Sequence, residues 1–208
     1  MNLLLKLVRK DFNRNRVITT ALALFLILSA LLMAGGLRTA GTLISSLNGL
    51  NARAVMPDYL QLHKGAYDEA AFEDFVKRHD YIQDALIVKM LAVHNANIAH
   101  NGESLENSLM DNGFIVQNQG FDLLLDQHNQ PAVVHKGEVG VPVYYAEELG
   151  IAPGDVITLT EGDYRRELIV AAIVRDAAMN AALTSSKRFL VSPEDLDDLS
   201  RHLGEWEY

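Results

Sequence analysis

The 208-residue chain contains no cysteine. That excludes disulfides from any part that folds outside the cytoplasm, and it excludes a lipoprotein signal, which needs a Cys at its cleavage site. No GxxxxGK[ST] phosphate loop occurs either, so ATP cannot be hydrolysed by that route. Repeats of solenoid period and low-complexity tracts are also missing. Basic charge is scarce beyond the start of the chain. The net charge is -9, and residues 1–16 hold five basic side chains against one acid, so the other 192 residues stand at -13. An acidic surface of that size does not suit nucleic acid, whose phosphates demand basic patches, and it is not drawn to anionic lipid heads.

What the chain does have is an uncharged apolar run of 21 residues, Val17 to Leu37, behind a basic flank of Lys6, Arg9, Lys10, Arg14 and Arg16. As a helix the run spans roughly 32 Å, which matches the roughly 30 Å hydrocarbon core of a bilayer. The basic flank predicts a cytoplasmic N-terminus and an extracytoplasmic domain after Arg38, in a cell membrane crossed once by this chain. A cleaved signal peptide is the competing reading, since MAGGLRTAG offers small residues at the end of the run. Signal h-regions, however, run about 7 to 15 apolar residues behind a shorter basic segment. Within residues 1–16, Leu3, Leu4, Leu7 and Val8 recur at helical spacing and predict a cytoplasmic amphipathic segment along the inner leaflet.

Residues 17–37 are thus the expected transmembrane helix. Ala30, Ala34, Gly35, Gly36 and Ala40 give it a face of small residues, a pattern that lets helices pack closely in lipid. Leu43, Leu47, Leu50 and Ala54 keep the helical period going, so residues 38–56 read as a helical stalk stopped by Pro57. About 155 residues follow, enough for one domain or two small lobes.

The alternation in Pro57 to His63 predicts a strand. Asp68 then caps a helix to His79, with Tyr67 and Phe72 spaced as a hydrophobic staple. Apolar stretches at Ile82 to Val93 and Asn97 to Ala99 complete an expected β-α-β arrangement. Near the other end, the strand Arg188 to Val191 meets Ser192 as N-cap, with Pro193 at N1, Asp195 at N3 and a buried stripe of Leu196, Leu199 and Leu203. Between them lie strand candidates Phe114 to Gln117, Phe121 to Leu125, Ala132 to Val134 and Val139 to Val143. A short helix, Pro142 to Leu149, follows them. The turn Gly150, Pro153, Gly154, Asp155 leads into a hairpin of Val156 to Thr160 and Arg166 to Val174. The expected class is therefore α+β, with a split β-α-β lobe made of residues 57–105 and 184–208 and a β-rich lobe, residues 106–183, inserted in it.

Candidate chemistry is thin. His94 and His100, and His128 and His135, have neither helical i, i+4 spacing nor Cys partners, and read as structural histidines. Ser185, Ser186 and Lys187 read as loop residues and not as a nucleophile pair. Glu147 and Glu148 read as the solvated face of a helix, and Glu194, Asp195, Asp197 and Asp198 as carboxylates at a helix N-terminus. The residues predict no catalytic constellation, no metal site, no cofactor and no enzyme.

The basic entry LVRKDFNRNR, the opening PDYLQLHKG, GFDLLLD, KGEVGVPVYYAEELGIAPGDVITL and the return VRDAAMNAALTSSKRFLVSPEDLDDL, taken in order, resemble the first part of an FtsX-like/MacB-like ABC transporter permease. The resemblance implies a porter-like lobe with an inserted β lobe, three further membrane helices, a separate ABC ATPase subunit and a second permease copy or homologue as partners. It also implies that the chain, stopping at Glu205-Trp206-Glu207-Tyr208, is truncated and lacks a last strand, leaving a bare sheet edge. A single-pass membrane-anchored sensor or adaptor is the alternative reading.

Overall fold

The computed structural model describes residue 10, residues 14–180 and residues 184–208. The chain divides into two compact units, residues 1–48 and 49–208. Most of the expected amphipathic segment, with Lys6 and Arg9, lies outside the described residues; Lys10, Arg14 and Arg16 are exposed.

The first unit is dominated by helix α1, Arg16–Ala54, which contributes its last turn to the second unit. At 39 residues it is the one helix among the described residues long and apolar enough to cross a membrane. Its apolar side chains are exposed on every side, from Val17 and Phe25 to Leu32 and Leu37. A helix apolar all round and not buried in protein suits lipid. Its polar side chains fit the same solvent. The hydroxyls of Thr19, Thr39 and Thr42 donate to the carbonyls of Asn15, Gly35 and Arg38, four residues back, at 2.9 to 3.0 Å. Their donors are thereby satisfied without water.

The helix stops at Ala54, two residues short of the expected stalk end. Pro57 disfavours helical backbone at Met56, so the turn must close earlier. It closes as a Schellman motif, with Met56 N–H donating to Asn51 O at 3.0 Å and Val55 in the left-handed region at φ 49°.

The second unit is a mixed α+β domain around one curled sheet of nine strands: β1 Met90–Val93, β2 Ile98–His100, β3 Glu103–Ser104, β4 Asp111–Ile115, β5 Glu138–Pro142, β6 Val156–Glu161, β7 Tyr164–Val174, β8 Ser186–Val191 and β9 Glu205–Glu207. Their spatial order is β3-β2-β6-β7-β5-β8-β4-β1-β9. The β4/β8 and β5/β7 pairs are parallel and the rest antiparallel. Three helices accompany it: α2 Glu69–Arg78, α3 Val143–Leu149 and α4 Pro193–Ser200.

Side chains alternate across the strands, so neighbours in sequence serve opposite layers. Leu91, Phe114 and Phe189 enter a core with Tyr145 of α3 and Leu199 of α4. Met90, Ile115 and Leu190 enter a second core on the other face with Leu124, Val174 and Met179. The Phe114 and Phe189 rings stack at 4.9 Å across the β4/β8 pair.

Several expected elements differ. Pro57 to His63 is not a strand: among the described residues its only ladder contacts are the His63–Tyr208 backbone bonds and the adjoining Lys64–Glu207 bridge. The alternation is present, but Tyr59, Leu60 and Leu62 are exposed, so no apolar layer rewards pairing. Of Ile82 to Val93 only Met90–Val93 finds partners. The expected β-α-β unit therefore does not form, and α2 buries none of its residues. Its N-cap, Asp68 accepting from Ala71 N–H at 3.0 Å, is as expected, but the Tyr67 ring lies 4.4 Å from that of Tyr208. Phe121 to Leu125 and Ala132 to Val134 are loops held by isolated bridges of Leu125 to Pro131 and Arg175. The terminal residues Glu205–Glu207, expected to leave a bare edge, form β9 on β1. The sheet also runs across the expected lobe boundary, since β8 lies between β4 and β5.

Candidate functional site

The feature with the most built-in specificity is the place where the last turn of α1 meets the domain. Ala54 is buried against Leu125 and Ala177, with Leu50 and Leu123 at the margin. The last carbonyls of a helix have no intrahelical donor. Here the N–H groups of Leu123 and Asp122 supply two, donating to Ala54 O and Val55 O, both at 2.9 Å. Asp122 reaches this position with φ 52°, and Asn118 Nδ2 braces its carboxylate at 2.9 Å.

Behind that contact sits a buried ion cluster. Arg188 of β8 meets Asp122 through Nη1 at 2.6 Å and Nη2 at 2.8 Å, and Asp176 through Nε at 2.6 Å and Nη2 at 2.7 Å. Its side chain is 2% exposed, against 5% and 9% for the two carboxylates. Burial alone would lower the guanidinium pKa, but hydrogen bonds and charge from Asp122 and Asp176 outweigh that and hold it above its ordinary value. The arrangement ties the foot of α1 through one residue, Asp122, to a strand near the middle of the sheet.

Val55 adds strain at the same point, because a β-branched residue at positive φ is an outlier. Val55→Gly relieves it and is expected to stabilise the domain by roughly 0.5 to 1 kcal/mol, left-handed strain exceeding the extra chain entropy of glycine. Equilibrium urea unfolding of the detergent-solubilised chain measures the gain.

The turn expected from Gly150, Pro153, Gly154 and Asp155 is present. Gly150 ends α3 at φ 69° and Gly154 has φ 98°. The Asp155 carboxylate accepts from Ala152 N–H at 2.9 Å and pairs with His100 Nε2 at 3.0 Å. Both contacts, the Ala152 bond first, lower its pKa. A lowered carboxyl contributes stability above its ordinary pKa of about 3.9 and loses it as pH falls through the folded value. Asp155→Asn is therefore expected to lower the melting temperature at pH 7, with the gap to the unmodified chain closing below about pH 4. Melting curves from pH 3 to pH 7 would show this.

The remaining sequence candidates do not converge. Ala30, Ala34, Gly35, Gly36 and Ala40 are exposed, and a Cβ built at Gly35 or Gly36 meets nothing within 4 Å. His94 caps the turn at Asn95–Asn97, and His135 pairs with Glu138 at 3.2 Å. Among the described residues no group of three or more His, Asp or Glu could hold a metal. Ser186 and Lys187 open β8 instead of lying in a loop, and Lys187 Nζ donates to backbone carbonyls. An open groove of about 960 Å³ lies beside β1, β4 and β9, with Asp111 and Glu205 among apolar Leu62 and Met90.

The sequence alone does not single out Asp122, Asp176 and Arg188 as a site. The available signal was Arg188 at the head of the apolar run Phe189 to Val191, a cation that demands carboxylate partners once buried. No family model matches the chain, and no curated protein does.

Proposed function

We propose that this chain is the first part of the membrane component of an ABC transporter of the FtsX-like/MacB-like type. The N-terminus lies in the cytoplasm, α1 crosses the cell membrane, and the sheet domain lies outside. In this reading residues 57–105 and 184–208 belong to the porter-like lobe and residues 106–183 to the inserted β lobe, the two sharing one sheet. A separate ABC ATPase closes and opens in the cytoplasm and a second permease copy or homologue packs beside this one. The moving membrane helix then shifts the outer domain as a body, for export, for handling lipid or peptide, or for envelope signalling. The carrying observation is the foot of α1: one unbroken helix of 39 residues whose last carbonyl, Ala54 O, accepts from Leu123 N–H and whose next residue, Val55, accepts from Asp122 N–H, with Asp122 anchored through Arg188 to β8. A flexible linker would dissipate such a motion, and a helix end bonded into the domain supports its transfer.

The test is purification of the tagged chain from solubilised membranes. Co-purification of an ABC ATPase supports the reading, and its consistent absence favours a membrane-anchored adaptor. Gly35→Leu with Gly36→Leu is expected to weaken the complex on blue-native gels while leaving the melting curve of the outer domain unchanged, because a Cβ at either position is unobstructed within this chain. Unchanged assembly removes this face as a packing surface.

A further inference from the structure

The chain holds Asn-Gly pairs at Asn48-Gly49, Asn101-Gly102 and Asn112-Gly113. In such a pair no Cβ shields the glycine nitrogen, which can attack the asparagine side-chain amide and close a succinimide ring. The attack needs a reachable side chain, a glycine N–H free of hydrogen bonds, and main chain loose enough to turn the two groups together. The fold treats the pairs differently on each count.

Asn48-Gly49 lies in the body of α1, where the helical hydrogen-bond ladder fixes both residues. Asn112-Gly113 lies in β4, which is paired to β1 on one side and β8 on the other. Asn112 is 4% exposed and its amide is engaged at both ends: Nδ2 donates to Asn95 Oδ1 at 2.7 Å, and Oδ1 accepts from Tyr145 O–H at 2.9 Å. Asn101-Gly102 is the turn between β2 and β3. Both residues are exposed, at φ 51° and 85°, and positive φ at both central positions is what makes Asn-Gly the favoured pair in a two-residue hairpin turn. Among the described residues neither the Asn101 side chain nor the Gly102 N–H makes a hydrogen bond. β3 is two residues long and ends the sheet with β2 as its one neighbour, so opening the turn costs little. Asn107-Ser108, the next least hindered pair, is tied, because Ser108 N–H donates to Leu105 O at 2.8 Å.

We propose that Asn101 is a site of spontaneous modification, converted through a succinimide to aspartate and isoaspartate, while the fold protects Asn48 and Asn112. The Gly102 nitrogen bonds to Asn101 Cγ, and the side-chain amide nitrogen leaves as ammonia, taking the glycine proton. Water then opens the ring, at Cγ to give aspartate or at the main-chain carbonyl to give isoaspartate. Either product sets a new carboxylate next to His100, which already has Asp155 at 3.0 Å and Glu103 opposite it across the turn. Isoaspartate also adds a carbon to the main chain, so two residues no longer close the turn and β3 parts from β2. Leu105, buried in the main core and donating its N–H to Ile98 O at 2.8 Å, keeps the change local. The assignment does not depend on the permease reading.

The test is ageing of the full chain in neutral detergent at mildly alkaline pH, each Asn-Gly pair being followed by peptide mass spectrometry with fragmentation that separates aspartate from isoaspartate. In the folded chain Asn101 is expected to convert at least about tenfold faster than Asn48 or Asn112, because those two need their main chain opened first. In urea the Asn101 and Asn112 rates are expected to converge, which separates the effect of the fold from that of the flanking sequence. The proposal is overturned if Asn48 or Asn112 comes within about tenfold of Asn101 in the folded chain. It is equally overturned if the gap between Asn101 and Asn112 persists in urea, or if folding slows Asn101 as much as it slows Asn112.

Discussion

Arg188→Leu is expected to destabilise the sheet domain by about 3 to 5 kcal/mol, the usual cost of stripping one partner from a buried ion cluster. The variant would leave Asp122 and Asp176, 5% and 9% exposed, without the guanidinium that both of them bond. Two buried carboxylates in that position cannot both stay ionised, so at least one takes up a proton and its pKa rises. The sign of the pH dependence follows. Carboxyls raised in the folded state above their unfolded values favour folding of the variant as pH falls, so its deficit is expected to shrink from pH 7 towards pH 5. The triple variant Arg188→Leu, Asp122→Asn, Asp176→Asn removes every charge and is expected to recover much of the loss even at pH 7. Trp206, the single tryptophan, lies in β9 against the main core and reports unfolding in urea. A deficit independent of pH would mean that the lost interaction is packing and not charge.

The same substitution bears on the transporter reading. Asp122 N–H holds the Val55 carbonyl through the backbone, so that bond survives the loss of Arg188 in principle. The side-chain brace behind it does not. Amide hydrogen exchange at Asp122 and Leu123 is expected to accelerate in Arg188→Leu more than exchange in β6 and β7, because the junction loses its anchor while the hairpin keeps all of its ladder.

Local signals were legible in the sequence because their physics is local. Ser192 accepts from Asp195 N–H and Pro193 opens α4, as the spacing Ser-Pro-x-Asp requires. Gly150 adopts the left-handed conformation that ends α3, and the hairpin of β6 and β7 closes around Gly162. The apolar run gave α1 by composition alone. What failed to read out was pairing between distant segments. Pro57 to His63 and Ile82 to Val93 look like strands one residue at a time, but a strand needs a partner edge and an apolar layer, and neither is encoded within the segment. β9 was unread for the opposite reason: three residues, Glu205 to Glu207, carry no pattern, and they pair because β1 offers an edge. The ion cluster was invisible for the same cause, since Asp122 and Arg188 lie 66 residues apart. Asp195, read as a carboxylate for the helix dipole, is also buried and accepts from Gly137 N–H at 2.6 Å and from Arg166.

Gly204→Ala is expected to detach β9. Gly204 has φ 69°, and a Cβ there would stand 2.2 Å from the Ala92 carbonyl oxygen and 3.2 Å from Leu91 Cδ1. The backbone angle alone costs roughly 1 to 2 kcal/mol for an L-residue. The contact is worse, because the obstacle is main chain of β1, the strand whose Ala92 pairs with Glu205. Neither side can move without opening that register, so the total is expected to exceed about 3 kcal/mol, with strain and lost pairing added together. Gly162→Ala is the control: its φ of 55° imposes the same kind of backbone strain, but open space surrounds its Cβ. It is expected to cost only about 1 to 2 kcal/mol. The two variants also differ in kind. Releasing β9 carries Trp206 away from Leu91, the residue it faces across the pair, so its emission shifts to longer wavelength in Gly204→Ala before global unfolding begins. Lys64 and His63, bonded to Glu207 and Tyr208, lose their partners in the same step and gain exchange. Equal costs for the two glycines, with no early shift in Trp206, would show that β9 tolerates the displacement and that the close approach of Gly204 to β1 is not what holds this edge.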